Sequence, residues 1–273
     1  MDAPELVIDD LKFPTGIASD EEENLFVADA ANGSVQKLDR DGRRSTYIEA
    51  CGKPSALAID DSGDMFVADA GRKHIFLFSP DEGTEVYANQ CKGRRFAGPR
   101  CMYFSPTGEL LFSDAGAGEV PGAIYSIDLN GETNLLIADL AGPAGLTIAE
   151  DAVGLYICES RSNSVVTYEL DEEGGLVNRE VFVEFDNGEG PQSLVFDAEG
   201  MLYVGRRGQG ITTLDPDGKV VDEIALPGPN VTSLCFGGID YDQLYAAEEE
   251  TGAIYRFNLE HPGQRPFAGP RSV

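Results

Sequence analysis

PTGIAS (14–19), PSALAI (54–59), PRCMYF (99–104), PAGLTI (143–148), PQSLVF (191–196) and VTSLCF (231–236) are six versions of one short strand, starting 40, 45, 44, 48 and 40 residues apart. Three residues after each start stands an apolar side chain: Ile17, Leu57, Met102, Leu146, Leu194 and Leu234. A second β-branched or aromatic run follows in every unit (NLFVAD, DMFVAD, LLFSD, GLYICE, MLYVGR, QLYAAE), then a third (SVQKLD, HIFLFS, AIYSID, SVVTYEL, GITTLD, AIYRFN). Asp- and Gly-rich turns such as DRDGR (39–43) and DPDGK (215–219) come next, where Gly supplies positive φ and Asp bonds back to the local backbone. A variable fourth strand ends each unit. Four antiparallel strands per unit of about 40 to 45 residues predict a propeller blade, because one small sheet cannot bury both faces but a closed ring can. The expectation is an all-β, six-bladed propeller forming a single domain over 1–273. The sixth unit has three clear strands, and ELVIDDL (5–11) is left over at the front. Either that N-terminal strand completes the sixth blade, or the tail FAGPRSV (267–273) does so from its own side.

Composition narrows the function. Twenty basic against 48 acidic side chains give a formal charge of −28, which opposes docking on phosphate backbones or anionic lipid. Nucleic acid and membrane partners are therefore not expected, and a basic protein partner suits the surface better. With 42% hydrophobic residues the acids do not mark a disordered polymer. The start MDAPELVIDD lacks the basic and apolar regions of a secretory signal, so a cytoplasmic location is expected. Cys51, Cys91, Cys101, Cys158 and Cys235 are odd in number and widely spaced, which reads as free thiols. Only His74 and His261 supply imidazole, leaving little room for Ser-His-Asp or multi-histidine catalysis.

The first two units, FPTGIASDEEENLFVADAANGSVQKLDRDG and KPSALAIDDSGDMFVADAGRKHIFLFSPDEG, resemble NHL repeats. The second half, through GPQSLVFDAEGMLYVG and VTSLCFGGIDYDQLYAAEEETGAIYRF with its Phe236-Gly237-Gly238-x-Asp240 stretch, is similar to the senescence marker protein/gluconolactonase/luciferin-regenerating enzyme-like family. Both resemblances imply a six-bladed propeller. The second also implies a divalent cation, usually calcium or zinc, at the central channel, held by a Glu of the first repeat, an Asn in Pro-Asn-Gly and an Asp in Pro-Asp-Gly. In this chain those slots read Phe13-Pro14-Thr15, Pro143-Ala144-Gly145 and Pro191-Gln192-Ser193. The channel-lining candidates are Thr15, Ser55, Arg100, Ala144, Gln192 and Thr232, a nearly neutral ring with one fixed positive charge. Hard cations need several oxygen ligands including carboxylates, so no metal or other cofactor is expected here.

A second ring falls at the ends of the second strands: Asp29, Asp69, Asp114, Glu159, Arg206 and Glu248. One reading is a rim that binds a cation or polar ligand; the other is a scaffold in which each carboxylate accepts backbone N–H groups, favoured because repeat consensus is mostly scaffold. Arg206 departs from the acids around it. Together with Arg100 it is a candidate receiver of a small anionic ligand through bidentate hydrogen bonds. Two functions follow. The one taken forward is a non-catalytic binding or scaffold propeller, since the family's metal ligands are missing; the alternative is a divergent lactone or ester hydrolase, for which calcium or zinc would be the cofactor.

Overall fold

In a computed structural model, which describes residues 3–49, 51–171 and 175–267, the six units form six four-stranded antiparallel sheets. Blade one contains Pro14–Ser19, Leu25–Asp29, Ser34–Leu38 and Arg44–Ile48; blade two Pro54–Ile59, Met65–Asp69, His74–Ser79 and Gly83–Ala88. Blade three contains Pro99–Phe104, Leu110–Asp114, Gly122–Ile127 and Thr133–Leu140; blade four Pro143–Ile148, Gly154–Glu159, Ser164–Leu170 and Leu176–Glu184. Blade five contains Pro191–Phe196, Leu202–Arg206, Gly210–Leu214 and Val220–Ile224; blade six Val231–Gly237, Gln243–Glu248 and Ala253–Asn258. The strand Glu5–Ile8 pairs with Ala253–Asn258 and completes blade six. Of the two expected routes to ring closure, the N-terminal strand is the one used; positions 268–273 of the tail lie outside the described residues. An extra hairpin, Gln90–Cys91 with Arg94–Arg95, sits in the crossover from blade two to blade three.

Each inner strand packs against the inner strands of both neighbouring blades, and the sixth meets the first, so the six line a common axis. The predicted apolar positions Ile17, Leu57, Met102, Leu146, Leu194 and Leu234 are all buried, each beside a residue of the second strand such as Val27 or Phe112. The core divides into six clusters, one per blade interface. This follows from the sheet period: alternate residues face opposite sides of a blade, and each side is buried only by the next blade. The closing interface joins Ile8 and Leu11 to Ile17, Leu25, Val27, Ala247 and Ile254. Hydroxyls stitch the same ring: Thr232 Oγ1 donates to Pro14 O (2.8 Å), Thr15 Oγ1 to Pro54 O (2.7 Å) and Ser55 Oγ to Pro99 O (2.7 Å).

The register fixes two unlike faces. Pro14 pairs with Asp29 and Ser19 with Leu25, so the proline ends and the turns after second strands share an upper face, while the other hairpins lie on a lower face. In the lower turns Asp20, Asp39, Asp60, Asp128, Asp197 and Asp215 each accept backbone N–H groups two and four residues ahead. Gly63 adopts φ 82° there, a conformation that costs other residues strain. The C-terminal segment crosses the lower end of the axis. Gln264 N donates to Phe196 O (2.9 Å), its Nε2 to Ile148 O (3.0 Å), and Gly263 N to Tyr241 O (2.7 Å). Among the described residues there is no helix, and hence none long and apolar enough to cross a membrane.

Candidate functional site

A cavity of about 160 Å³ runs along the axis between the inner strands of all six blades. Thr15, Ser55, Arg100, Gln192 and Thr232 line its upper part; Tyr103, Tyr241, Gln264 and Pro266 line the lower. Ala144, the sixth channel candidate, is buried among Cys158, Val165 and Leu194 and offers only a methyl group. Because the hydroxyls of Thr15, Ser55 and Thr232 already donate to neighbouring prolines, the chemistry rests on the two longer side chains. Arg100 Nη2 donates to Gln192 Oε1 across the axis (3.0 Å). Gln192 Nε2 in turn donates to Ser160 Oγ (3.1 Å) and Gly190 O (3.3 Å), and Ser160 Oγ donates to Pro191 O (2.7 Å). The amide is thereby held with its oxygen toward the guanidinium.

A second charged group acts on Arg100. Arg207 Nη2 and Glu249 Oε2 form an ion pair of 2.7 Å, with the Glu249 side chain largely buried. Burial pushes the Glu249 carboxyl above its usual pKa, Arg207 and Arg100 pull it down, and the net direction is up. Burial, followed by repulsion from Arg207, lowers the pKa of Arg100, while Glu249 opposes that shift. Arg100 keeps accessible surface, but that surface faces the channel. It has no carboxylate within 4.0 Å among the described residues.

The ring at the second-strand ends is scaffold. Asp69 is fully buried and accepts Gly52 N (2.5 Å), Lys53 N (2.8 Å) and Arg72 N (2.8 Å). Asp29 accepts Lys12 N and Phe13 N, and Asp114 accepts Ala97 N and Gly98 N. Glu159 takes Ala141 N and Arg179, and Glu248 takes Glu250 N and Thr251 N. In blades one to four the carboxylate clamps the incoming crossover; in blade six it folds the following turn. Asp69→Asn is expected to lower stability by about 2–4 kcal/mol, since an amide NH₂ then faces buried donors. The urea midpoint checks this, and a change below about 0.5 kcal/mol would contradict the clamp.

Arg206 corrects the expectation of a rim ligand site. It is 1% exposed, lies 3.9 Å over the Phe185 ring and donates to Asn187 Oδ1 (2.8 Å), Asn187 O and Thr212 Oγ1 (3.2 Å). Its donors fasten the 185–187 turn instead of facing the channel. The next residue, Arg207, pairs with Glu249 and acts on Arg100 electrostatically. The five cysteines are free thiols, and burial raises the pKa of Cys51, Cys101, Cys158 and Cys235, which suits packing and not nucleophilic attack.

The divalent ion implied by the family resemblance does not fit these residues. Its slots hold a threonine, an alanine methyl and an amide committed to Arg100, and a fixed cation occupies the channel beside them. Among the described residues no three His, Cys, Asp or Glu side chains come together as a metal site.

The SMP-30/Gluconolactonase/LRE-like region model matches residues 13–249. The chain belongs to this family. A pentonolactonase, XacC, from Haloferax volcanii is 27% identical over 182 residues, 59% of this chain and 62% of that protein. A 6-deoxy-6-sulfogluconolactonase from Pseudomonas putida is 31% identical over 54% of this chain and 57% of that protein. Regucalcin from Bos taurus is 28% identical over 70% of this chain and 68% of its own length. The matches thus span about three fifths of the two lactonases' length. A structure of a putative gluconolactonase superimposes with a TM-score of 0.87 at 19% identity, covering 96% of this chain and 94% of that one. The gluconolactonase XC5397 from Xanthomonas campestris gives 0.84 at 18%, covering 97% and 96%. These structures establish the shared propeller. The relatives' names overturn the expectation of a non-catalytic scaffold and favour the hydrolase alternative. That expectation equated loss of metal-binding carboxylates with loss of catalysis, whereas the channel retains a cation in Arg100.

Proposed function

We propose that this protein hydrolyses the lactone of a sugar acid at the upper end of its axial channel. The observation that carries this is Arg100, bonded to Gln192 on the wall of the axial cavity and close enough to the Arg207–Glu249 ion pair to interact with it electrostatically, in a family whose named members include lactonases. Glu249 takes a proton from a water whose oxygen attacks the lactone carbonyl carbon. As negative charge grows on the carbonyl oxygen, Arg100 N–H groups stabilise it in a partly desolvated space. Collapse breaks the ring C–O bond, Glu249 returns its proton to the departing alkoxide, and a hydroxy acid results. Ser160 is no nucleophile in this scheme, because its proton is committed to Pro191 O.

The test is a pH-indicator assay over five- and six-membered aldonolactones, since each turnover releases one proton at neutral pH. Expected is hydrolysis well above the buffer rate for at least one lactone; no acceleration across the panel would overturn the reading. The pH profile carries a further prediction. A base whose pKa is raised works only after deprotonation at correspondingly higher pH, so kcat/KM should rise with pH through an acid limb above the ordinary glutamate range. A limb at the ordinary position would remove Glu249 from this role.

A further inference from the structure

A second cavity of about 160 Å³ opens on the lower face between blades four and five, and Gln264, which lines both cavities, stands at its boundary with the axial one. Gln264 is held there by its bonds to Phe196 O and Ile148 O. Three rings meet in the wall. Tyr156 and Phe182 come from the second and fourth strands of blade four, and Phe196 from the first strand of blade five. The Tyr156 ring stands at 84° to both others, with centroids 5.1 Å from Phe182 and 4.9 Å from Phe196. Two carboxylates share the lining. Asp197 is buried and accepts Glu199 N (3.0 Å), Met201 N (2.9 Å) and Tyr203 Oη (3.2 Å), which fixes its charge in place without a cationic partner. Glu150 is exposed and makes no ion pair or side-chain hydrogen bond among the described residues. No Lys, Arg or His lines the cavity. The lower turns around it, 149–153, 197–201 and 215–219, hold six acids against one cation, Lys219.

We infer that this cavity binds a small alkylammonium ion, such as one with the trimethylammonium head of choline. The inference stands apart from the lactonase reading and uses none of its residues. An excess of acids at the opening repels anions and draws cations. A metal ion is a poor match, because it needs several oxygen ligands at once, Asp197 is committed to three donors, and no three acids converge among the described residues. Alkyl groups on the nitrogen change the balance. They spread the charge over an apolar surface that loses its water easily, ring faces attract such a cation, and the carboxylates supply the opposite charge. Cavities of about 150 Å³ hold a guest the size of benzene, so the space suits a substituted nitrogen.

The experiment is calorimetric titration of the full chain with choline and tetramethylammonium, in about 0.5 M sodium chloride so that the diffuse ion atmosphere of the acidic surface is screened. The uncharged isostere 3,3-dimethylbutan-1-ol is the control. Expected is saturable binding of both cations, with the alcohol at least about fivefold weaker. Phe182→Leu keeps the apolar volume without the ring and should weaken choline binding at least about threefold. Glu150→Lys puts a cation at the opening and should weaken it at least about tenfold. Melting temperatures confirm that both variants are folded, and the exposed Glu150 position keeps the question decidable if Phe182→Leu is not. The inference is overturned if neither cation saturates, if the alcohol binds as well as choline, or if either folded variant binds choline unchanged. Tighter binding of a short trimethyllysine peptide than of choline would also overturn it, by assigning the cavity to a protein side chain instead of a free ion.

Discussion

Glu249→Gln is expected to lower kcat for lactone hydrolysis by about 10²–10⁴-fold while the protein stays folded. The amide matches the carboxylate in size, and its oxygen can still accept from Arg207, so the 2.7 Å contact survives in weakened form. What it cannot do is hold a proton taken from water. Substrate contacts through Arg100 remain, so KM should move far less than kcat. An indirect effect through Arg207 is separable by its pH signature. Arg207 lowers the Glu249 pKa, so Arg207→Gln should shift the acid limb upward and keep it, whereas Glu249→Gln should abolish the limb. A fall in kcat below about fivefold, with the limb intact, would assign the base elsewhere.

Deleting residues 1–9 is expected to cost at least about 3 kcal/mol, from the burial of Ile8 and the lost strand pairing. At roughly 2–4 °C per kcal/mol this is a fall of about 6–12 °C in Tm. The strand Glu5–Ile8 contributes the pairs Glu5 with Arg256, Leu6 with Tyr255 and Ile8 with Ile254, together with a Glu5–Arg256 ion pair of 2.6 Å. Its removal opens the closing interface around Leu11, Ile17 and Ile254 and leaves Ala253–Asn258 as an unpaired edge, which favours self-association. Calorimetry and sedimentation check both consequences. A melting temperature within about 2 °C of the intact chain, with no oligomer, would contradict the closure described.

The fold was legible because the same positions that define the repeat also make the blade interfaces: Ile17, Leu57, Met102, Leu146, Leu194 and Leu234 recur in sequence and are buried in space. The site was legible only in part. Arg100 and Gln192 stand where the repeat phase puts them, on the axis. The acids at second-strand ends could not be assigned from spacing, since it suits a ligand ring and a clamp equally; the amides of Gly52 and Lys53 on Asp69 decide for the clamp. The choice of Arg206 failed because its side chain is buried against Phe185 and Asn187, a packing that spacing alone does not show. A usable signal was present. The residue after each second strand reads Ala30, Ala70 and Ala115 in the first three blades, then Ser160, Arg207 and Glu249. The polar half of that ring supplies the Ser160 bond to Gln192 and the Arg207–Glu249 pair.

The closure of blade six by the first strand sets an order of events during synthesis. Glu5–Ile8 leaves the ribosome about 250 residues before its partner Ala253–Asn258 is made. Blades one to five are translated while the first blade still lacks its sixth neighbour, and the nascent chain is an open arc with two uncovered apolar faces. Joining residues about 250 positions apart is the slow, high-contact-order step, and it must await synthesis of Ala253–Asn258. The acidic turns distributed through all six units then have a second use: they keep that waiting arc mutually repulsive and dispersed until its two ends meet.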